Sequence, residues 1–248
     1  MRIAENVEAL ELPMNFTGRS SVIYPALLWG SDGATLVDTG LPGQLDIVRR
    51  SIEDAGVEFE SIDRIILTHH DIDHIGGLPE ILRVRRGEIE VLAHDEDRPY
   101  IEGSRPLIKF SSERLTQMME SLPEPQREQF ERIFSRPPSG EVDRALRDGE
   151  VLPLHGGITV IHTPGHTPGH LSLFVESSRL LIAGDELRVE EGELVGPSEA
   201  ATPDMESANA SLAKLTDYRI DYVLCYHGGL YGPDASEKIA ELSAAANG

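Results

Sequence analysis

Apolar residues along this chain fall mostly in short runs bounded by Gly, Pro, Asn and Asp, the pattern of strands buried in a sheet. Strands are predicted at Val7–Leu12, Val22–Trp29 and Ala34–Val37, the last two joined by a Gly-Ser-Asp-Gly turn of the hairpin kind. Further runs predict strands at Ile65–Leu67, Ile89–Ala93 and Ile158–Ile161, a hairpin of Leu171–Val175 with Leu180–Ala183, and a strand at Tyr222–Tyr226. Helical spacing separates them. Leu45, Val48, Ile52 and Ala55 share one helix face that stops at Gly56, and helices follow at Leu78–Val84, Met205–Leu215 and Asp234–Ala245. Residues 98 to 140 break this rhythm with two predicted helices, Glu113–Ser121 and Pro125–Phe134. That segment is too short for a good core of its own. It is expected to be an insertion over one end of a single domain spanning residues 1–248, covering the substrate side with Tyr100, Arg105, Lys109 and Phe110.

Four of the strands end on His or Asp beside glycine. Ile65–Leu67 leads through Thr68 into His69-His70-Asp71-Ile72-Asp73-His74 and then Gly76-Gly77. Ile161 leads into His162-Thr-Pro-Gly-His166-Thr-Pro-Gly-His170, whose Pro-Gly pairs mark tight turns and gather three histidines at one loop. Ala183 leads into Gly184-Asp185, and Tyr226 into His227-Gly228-Gly229. Where such strands adjoin, their ends meet at one edge. Residues two apart on an extended segment project to one side, so His69, Asp71 and Asp73 are expected to converge while His70 and Ile72 point away. Desolvated carboxylates crowded together must protonate or find a cation, and a divalent metal resolves that conflict; a merely solvated polar loop would need none. Asp38, before Thr39-Gly40, reads as a turn or cap residue or as a functional group at a strand end. His94 reads as a pocket residue or a hydrogen-bonded strand-end imidazole.

Composition narrows the partners. A formal charge of −21, with Lys only at 109, 214 and 238, argues against nucleic acid and anionic membranes, both of which are bound through clustered Lys and Arg. The expected partner is a small-molecule substrate. The single cysteine, Cys225, excludes an internal disulfide and sits in an apolar run that suits a buried, inert thiol. The N-terminal stretch lacks the apolar core of a signal peptide and no run reaches the length of a membrane span, so a cytoplasmic location is expected.

In these motifs the chain resembles the metallo-β-lactamase superfamily over nearly its whole length. The family motif His-x-His-x-Asp-His is similar to His69-His70-Asp71-Ile72-Asp73-His74, with Asp71 in place of the second His. His166, Asp185, His227 and the early Asp38-Thr39-Gly40 match the remaining family positions. The resemblance implies an α+β fold, a four-layer αββα sandwich of two mixed sheets flanked by helices, with two metals at one sheet edge. One metal would be held by His69, Asp71 and His166 and the other by Asp73, His74 and His227, with Asp185 bridging. A bridging hydroxide would then hydrolyse the substrate, with Asp73 as the catalytic carboxylate that orients it or passes its proton on. Zinc is the first expectation, and the oxygen-rich set that Asp71 creates also suits manganese or iron. His162 and His170 would be supporting residues.

Within the superfamily the PGHTPG motif looks most like hydrolases of thioesters and lactones. The lactonase tyrosine three residues after the bridging Asp is Arg188 here, no cysteine occupies a β-lactamase ligand position, and no basic nuclease groove is visible. Two alternatives remain from the same resemblance. Asp71 also fits the di-iron site of flavodiiron reductases, although this chain is expected to carry no flavodoxin-like domain, and a metal-binding scaffold without catalysis is the other.

Overall fold

Strands that are apolar on both faces need cover on both sides, and here that requirement sets the architecture. The computed structural model describes residues 1–14, 21–85, 88–109, 124, 127, 131 and 137–246. Among them, a seven-stranded sheet runs in the order β1 (Arg2–Ala4), β2 (Val7–Ala9), β5 (Ala26–Gly30), β6 (Gly33–Val37), β7 (Ile62–Ile66), β8 (Glu90–His94) and β9 (Arg144–Leu146). It is antiparallel from β1 to β6 and parallel from β6 to β9. Between β2 and β5 the chain leaves the sheet to form a small ribbon of β3 (Leu12–Met14) and β4 (Ser21–Ile23).

The second sheet has six strands, ordered β10 (Val151–Leu152), β11 (Ile158–His162), β12 (Leu171–Val175), β13 (Leu180–Gly184), β16 (Tyr222–Cys225) and β17 (Gly229–Tyr231). Only β13 and β16 pair in parallel. A hairpin of β14 (Arg188–Glu190) and β15 (Glu193–Val195) follows β13.

Neighbouring residues on one strand enter different layers of core, as the two-residue period of a strand requires. Leu28, Val37, Ile66 and Leu92 of the first sheet meet Val160, Leu173, Ile182 and Leu224 of the second, forming the middle layer. Their neighbours Leu27, Leu36, Ile65 and Val91 face outward and are covered by Val48 and Ile52 of α1 (Leu45–Asp54), with Leu78 and Ile81 of the later helix Leu78–Arg85. On the far side Leu181, Ala183, Val223 and Cys225 are covered by Leu212 and Leu215 of the helix Met205–Leu215 and Ile239 of Ala235–Ala246. Helix, sheet, sheet and helix therefore stack as four layers, the α+β sandwich that the family resemblance implied.

Some expected elements differ. The run Val22–Trp29 breaks at Tyr24-Pro25, where Pro25 has no N–H for a ladder and its carbonyl instead accepts from Leu10 N–H at 2.8 Å. The run Val7–Leu12 divides at Leu10 for the same contact. The strands β1, β9, β14, β15 and β17 are three residues long, too short for an apolar pattern to reveal them. Residues 72 to 75 form a turn of helix, α2 (Ile72–Ile75), rather than the extended segment expected there. The cause is packing: Ile72 and Ile75 are both buried, which one helical turn allows and alternation would not. The helices Leu78–Arg85, Arg98–Ile101, Met205–Leu215 and Ala235–Ala246 are α3 to α6. The expected helix Glu113–Ser121 and most of Pro125–Phe134 lie outside the described residues.

Candidate metal centre

The ends of β7, β11, β13 and β16 meet at one edge, where Leu171 N–H donates to the Thr68 carbonyl at 2.8 Å and joins the two sheets. The loop after β7 is fixed from below by Asp38. This residue, held at a φ of 63°, accepts from Thr68 N–H (2.8 Å), Thr68 Oγ1 (2.7 Å) and His74 Nδ1 (2.8 Å). Three hydrogen bonds to one buried carboxylate offset the cost of its left-handed backbone, on the order of 1 kcal/mol.

A second buried carboxylate, Asp97, braces the same loop from the side. It accepts from His70 N–H (2.9 Å), His70 Nδ1 (2.7 Å), Thr167 Oγ1 (2.8 Å) and Gly169 N–H (2.7 Å). It thus ties the loop after β7 to the loop that carries His166. That second loop lies on α5, where Ser211 Oγ donates to the Pro164 carbonyl at 2.9 Å. A Cβ on Gly165, at a φ of 137°, would come within 2.4 Å of Ala208 N, so only glycine allows the approach.

Two groups of donors result, and within each the candidate ligand atoms lie within 4.8 Å of one another: His69, Asp71, His166 and Asp185; and Asp73, His74 and His227. In the first, Asp71 Oδ2 is 3.4 Å from His69 Nε2 and 3.0 Å from His166 Nε2. In the second, Asp73 Oδ2 is 3.8 Å from His74 Nε2 and 3.3 Å from His227 Nε2. Asp185 reaches both, with Oδ2 3.2 Å from His166 and 3.5 Å from His227, and Oδ1 3.3 Å from His74. All seven residues singled out in the sequence are therefore brought together, Asp73 and His74 by a helical turn rather than by strand alternation.

The hydrogen-bond network orients the histidine rings. Nδ1 of His69 meets Thr68 Oγ1 (3.1 Å), that of His74 donates to Asp38, and that of His166 meets Thr202 Oγ1 (3.3 Å), so each Nε2 is turned inward. His69 Nε2, Asp71 Oδ1, His74 Nε2 and Asp185 Oδ1 are buried without any hydrogen-bond partner. Unpartnered buried donor atoms are costly, and their convergence fits a divalent cation.

Charge is concentrated to match. Burial opposes protonation of His74 and His227, yet Asp38, Asp185 and Asp73 around the first and Asp185 and Asp73 around the second raise both, His227 to about 10. Burial likewise opposes ionisation of Asp71 and Asp185, yet Lys109 beside the first and the three histidines around the second hold both well below the carboxylate range. Burial and the neighbouring His74 push His69 down, so that it is a neutral donor. A site so arranged attracts positive charge.

His170 supports rather than joins these groups. Its Nε2 accepts from Asp185 N–H (3.0 Å) and its Nδ1 meets Thr163 Oγ1 (2.8 Å), while burial drives it down to about 3. His162 points elsewhere and stacks on His94 with ring centroids 3.9 Å apart. Arg188 is turned to the Gly196 carbonyl and Glu190. Cys225 is buried, and burial raises its thiol far above the ordinary range. Asp97, Thr68 and Thr202 were missed by sequence reasoning; Asp97 had a signal, since it precedes Arg98-Pro99 as the cap of a helix with proline in its first turn. Beside His166 a cavity of about 410 Å³ is walled by Ile108, Pro164, Pro168 and Pro203, with Glu96 at its rim.

Residues 21–227 match the model of the metallo-beta-lactamase superfamily. The probable metallo-hydrolase YflN of Bacillus subtilis is 32% identical over 84% of this chain and 80% of its own length. The hydroxyacylglutathione hydrolase GloC of Haemophilus influenzae is 27% identical over 86% of this chain and 88% of its own. A metallo-beta-lactamase family protein from Thermus thermophilus superposes with a TM-score of 0.69 at 26% identity, covering 98% of this chain and 79% of that one. The chain belongs to the metallo-beta-lactamase superfamily and is a metal-dependent hydrolase of that family.

Proposed function

We propose that this protein hydrolyses a small ester, thioester or lactone at a pair of divalent metal ions. His69, Asp71 and His166 would hold one ion, Asp73, His74 and His227 the other, and Asp185 would be shared. The observation that carries this reading is the set of four buried, unpartnered donor atoms converging from two sheets on one edge. When bound, such a pair supplies a water of lowered pKa and an electrophile for the substrate carbonyl. Zinc is the first choice, and the carboxylates at 71, 73 and 185 make manganese or iron acceptable.

The chain's own residues do the rest. Asp38, Thr68 and Thr202 engage the Nδ1 side of the imidazoles and so would leave Nε2 to the metal. Asp73 has the most open carboxylate of the three, its side chain 17% exposed, and so is the one positioned to carry a proton to the leaving group. The cavity beside His166 offers apolar walls for the body of the substrate, and its volume suits a small molecule. The name of the Haemophilus relative supports a thioester among the candidates. The acidic composition favours a protein working free in the cytoplasm, and no described helix is long and apolar enough to cross a membrane.

The test is metal analysis of the purified protein together with a panel of lactones, thioesters, phosphoesters and β-lactams. Turnover of an ester, thioester or lactone, abolished by chelation and restored by metal, is expected. A metal-loaded protein inert on all of these, or one holding iron with redox activity, would overturn the reading.

A further inference from the structure

Of the 22 basic residues in this chain only three are Lys. Lys214 is held at the surface by Asp148, and Lys238 by Glu241. Lys109 is instead turned inward, its side chain 9% exposed. The path of the chain before it explains why. After α4, Gly103 turns the backbone at a φ of 74°, and Arg105 N–H returns to the Pro99 carbonyl at 2.9 Å. Leu107 is then buried in the outer core layer and Ile108 lines the cavity. Lys109 is left facing the first donor group.

Its Nζ lies 2.5 Å from Asp71 Oδ2 and 2.5 Å from His166 Nε2. Both atoms are ligands in the reading above, on which this inference rests. His166 turns the same ring nitrogen to Asp71 Oδ2 at 3.0 Å, so ammonium, carboxylate and imidazole form one cluster. An ammonium is a compact point charge, unlike the planar guanidinium that serves almost everywhere else in this chain, and it fits where a small cation fits. The charges also match: Asp71 adds a carboxylate where the family motif has a neutral His, and Lys109 places one positive charge on it.

We propose that Lys109 is a tethered competitor for the first metal position: its ammonium engages Asp71 and His166, so a metal ion gains those two donors only by displacing it. Among the described residues no Lys or Arg makes an ion pair with Asp73 in the second group. In this proposal the first position carries a tethered ammonium that the second lacks, and the two fill unequally, the second ahead of the first. Loading of the first moves Lys109 toward the adjoining cavity, where it becomes part of the wall that substrate meets.

The experiment is a zinc titration of metal-depleted protein, with bound ions counted by native mass spectrometry. Wild type should bind one ion tightly and a second more weakly, with His227→Ala losing the tight step and His166→Ala the weak one. Lys109→Met should strengthen the weak step by about an order of magnitude and leave the tight step unchanged. Lys109→Gln, which keeps a polar head, should do the same, and thermal melts of the metal-free variants identify any that do not fold. Equal steps in wild type would overturn the inference, as would a weak step that is unchanged or weaker in the folded Lys109 variants. If none of the proteins binds zinc, the metal-centre reading falls and this inference with it; two bound ions without hydrolysis would remove the proposed reaction alone.

Discussion

His69, Asp71, His166 and Asp185 are all buried, whereas Asp73 and His227 stand nearer the opening, His227 with 28% of its side chain exposed. The two groups are also braced differently. The first depends on Asp97, one carboxylate that binds the loops of both sheets, and its charge is offset from within the chain by Lys109. The second depends on Asp38 beneath His74 and on Tyr226, whose ring stacks on His74 at 3.7 Å and whose hydroxyl donates to the Asp73 carbonyl (2.5 Å). The first group is thus buried throughout, whereas in the second only His74 is fully buried, and it rests on the Tyr226 ring.

Ligand removal separates them most strongly. His166→Ala should lose the metal of the first group only and lower kcat/KM by more than the roughly 10–100-fold that loss of a supporting partner costs. His162→Ala and His170→Ala should keep both metals, as counted by elemental analysis. Metal content that survives His166→Ala but falls in His170→Ala would reverse the assignment. Asp97→Asn tests the brace of the first group alone. It should weaken that group's metal affinity by about 10–100-fold and leave the second group's unchanged; equal weakening of both would show that Asp97 supports the whole edge.

Asp71→His sharpens the electrostatic side of the comparison. The substitution removes one negative charge from beside the cation, so the acid limb of the pH–rate profile should move to lower pH and metal preference should narrow toward zinc. Retention of both metals with an unmoved limb would mean that Lys109 cancels the Asp71 charge in the loaded enzyme as well. The smallest effect is on folding. His170 is held down to about 3 by burial, whereas an unfolded chain protonates it near pH 6.5. Between those values the unfolded state binds the extra proton, so stability is full above about pH 6.5 and is lost as pH falls. The metal-free wild type should therefore lose Tm faster than His170→Asn on acidification from pH 7 to about 5. Parallel losses would place the acid sensitivity elsewhere.

The strand ends were legible in the sequence because a strand buried on both faces shows as an unbroken apolar run, and its end shows as the first His or Asp beside glycine. Ile65–Leu67 before Thr68, Leu180–Ala183 before Asp185 and Tyr222–Cys225 before His227 all followed that rule. The geometry between them was not legible. Strand alternation put Asp71 and Asp73 on one side of an extended segment, whereas the family resemblance divided them between two groups; the buried pair Ile72 and Ile75 winds the chain and gives the divided arrangement. Lys109 could be named as a basic residue of the segment over the site, yet its contact with Asp71, 38 residues away, depends on the turn at Gly103 and the anchoring of Leu107. Long-range partners of this kind are chosen by packing, which leaves no period in the sequence.

Asp97 has a consequence for motion. The His70 and Gly169 amides belong to loops from different sheets, yet both lean on this one carboxylate. The His70 amide bonds to Oδ2 and the Gly169 amide to Oδ1, so a shift of the Asp97 side chain would loosen both loops at once. The two amides should then exchange with deuterium slowly and together, as a single cooperative unit.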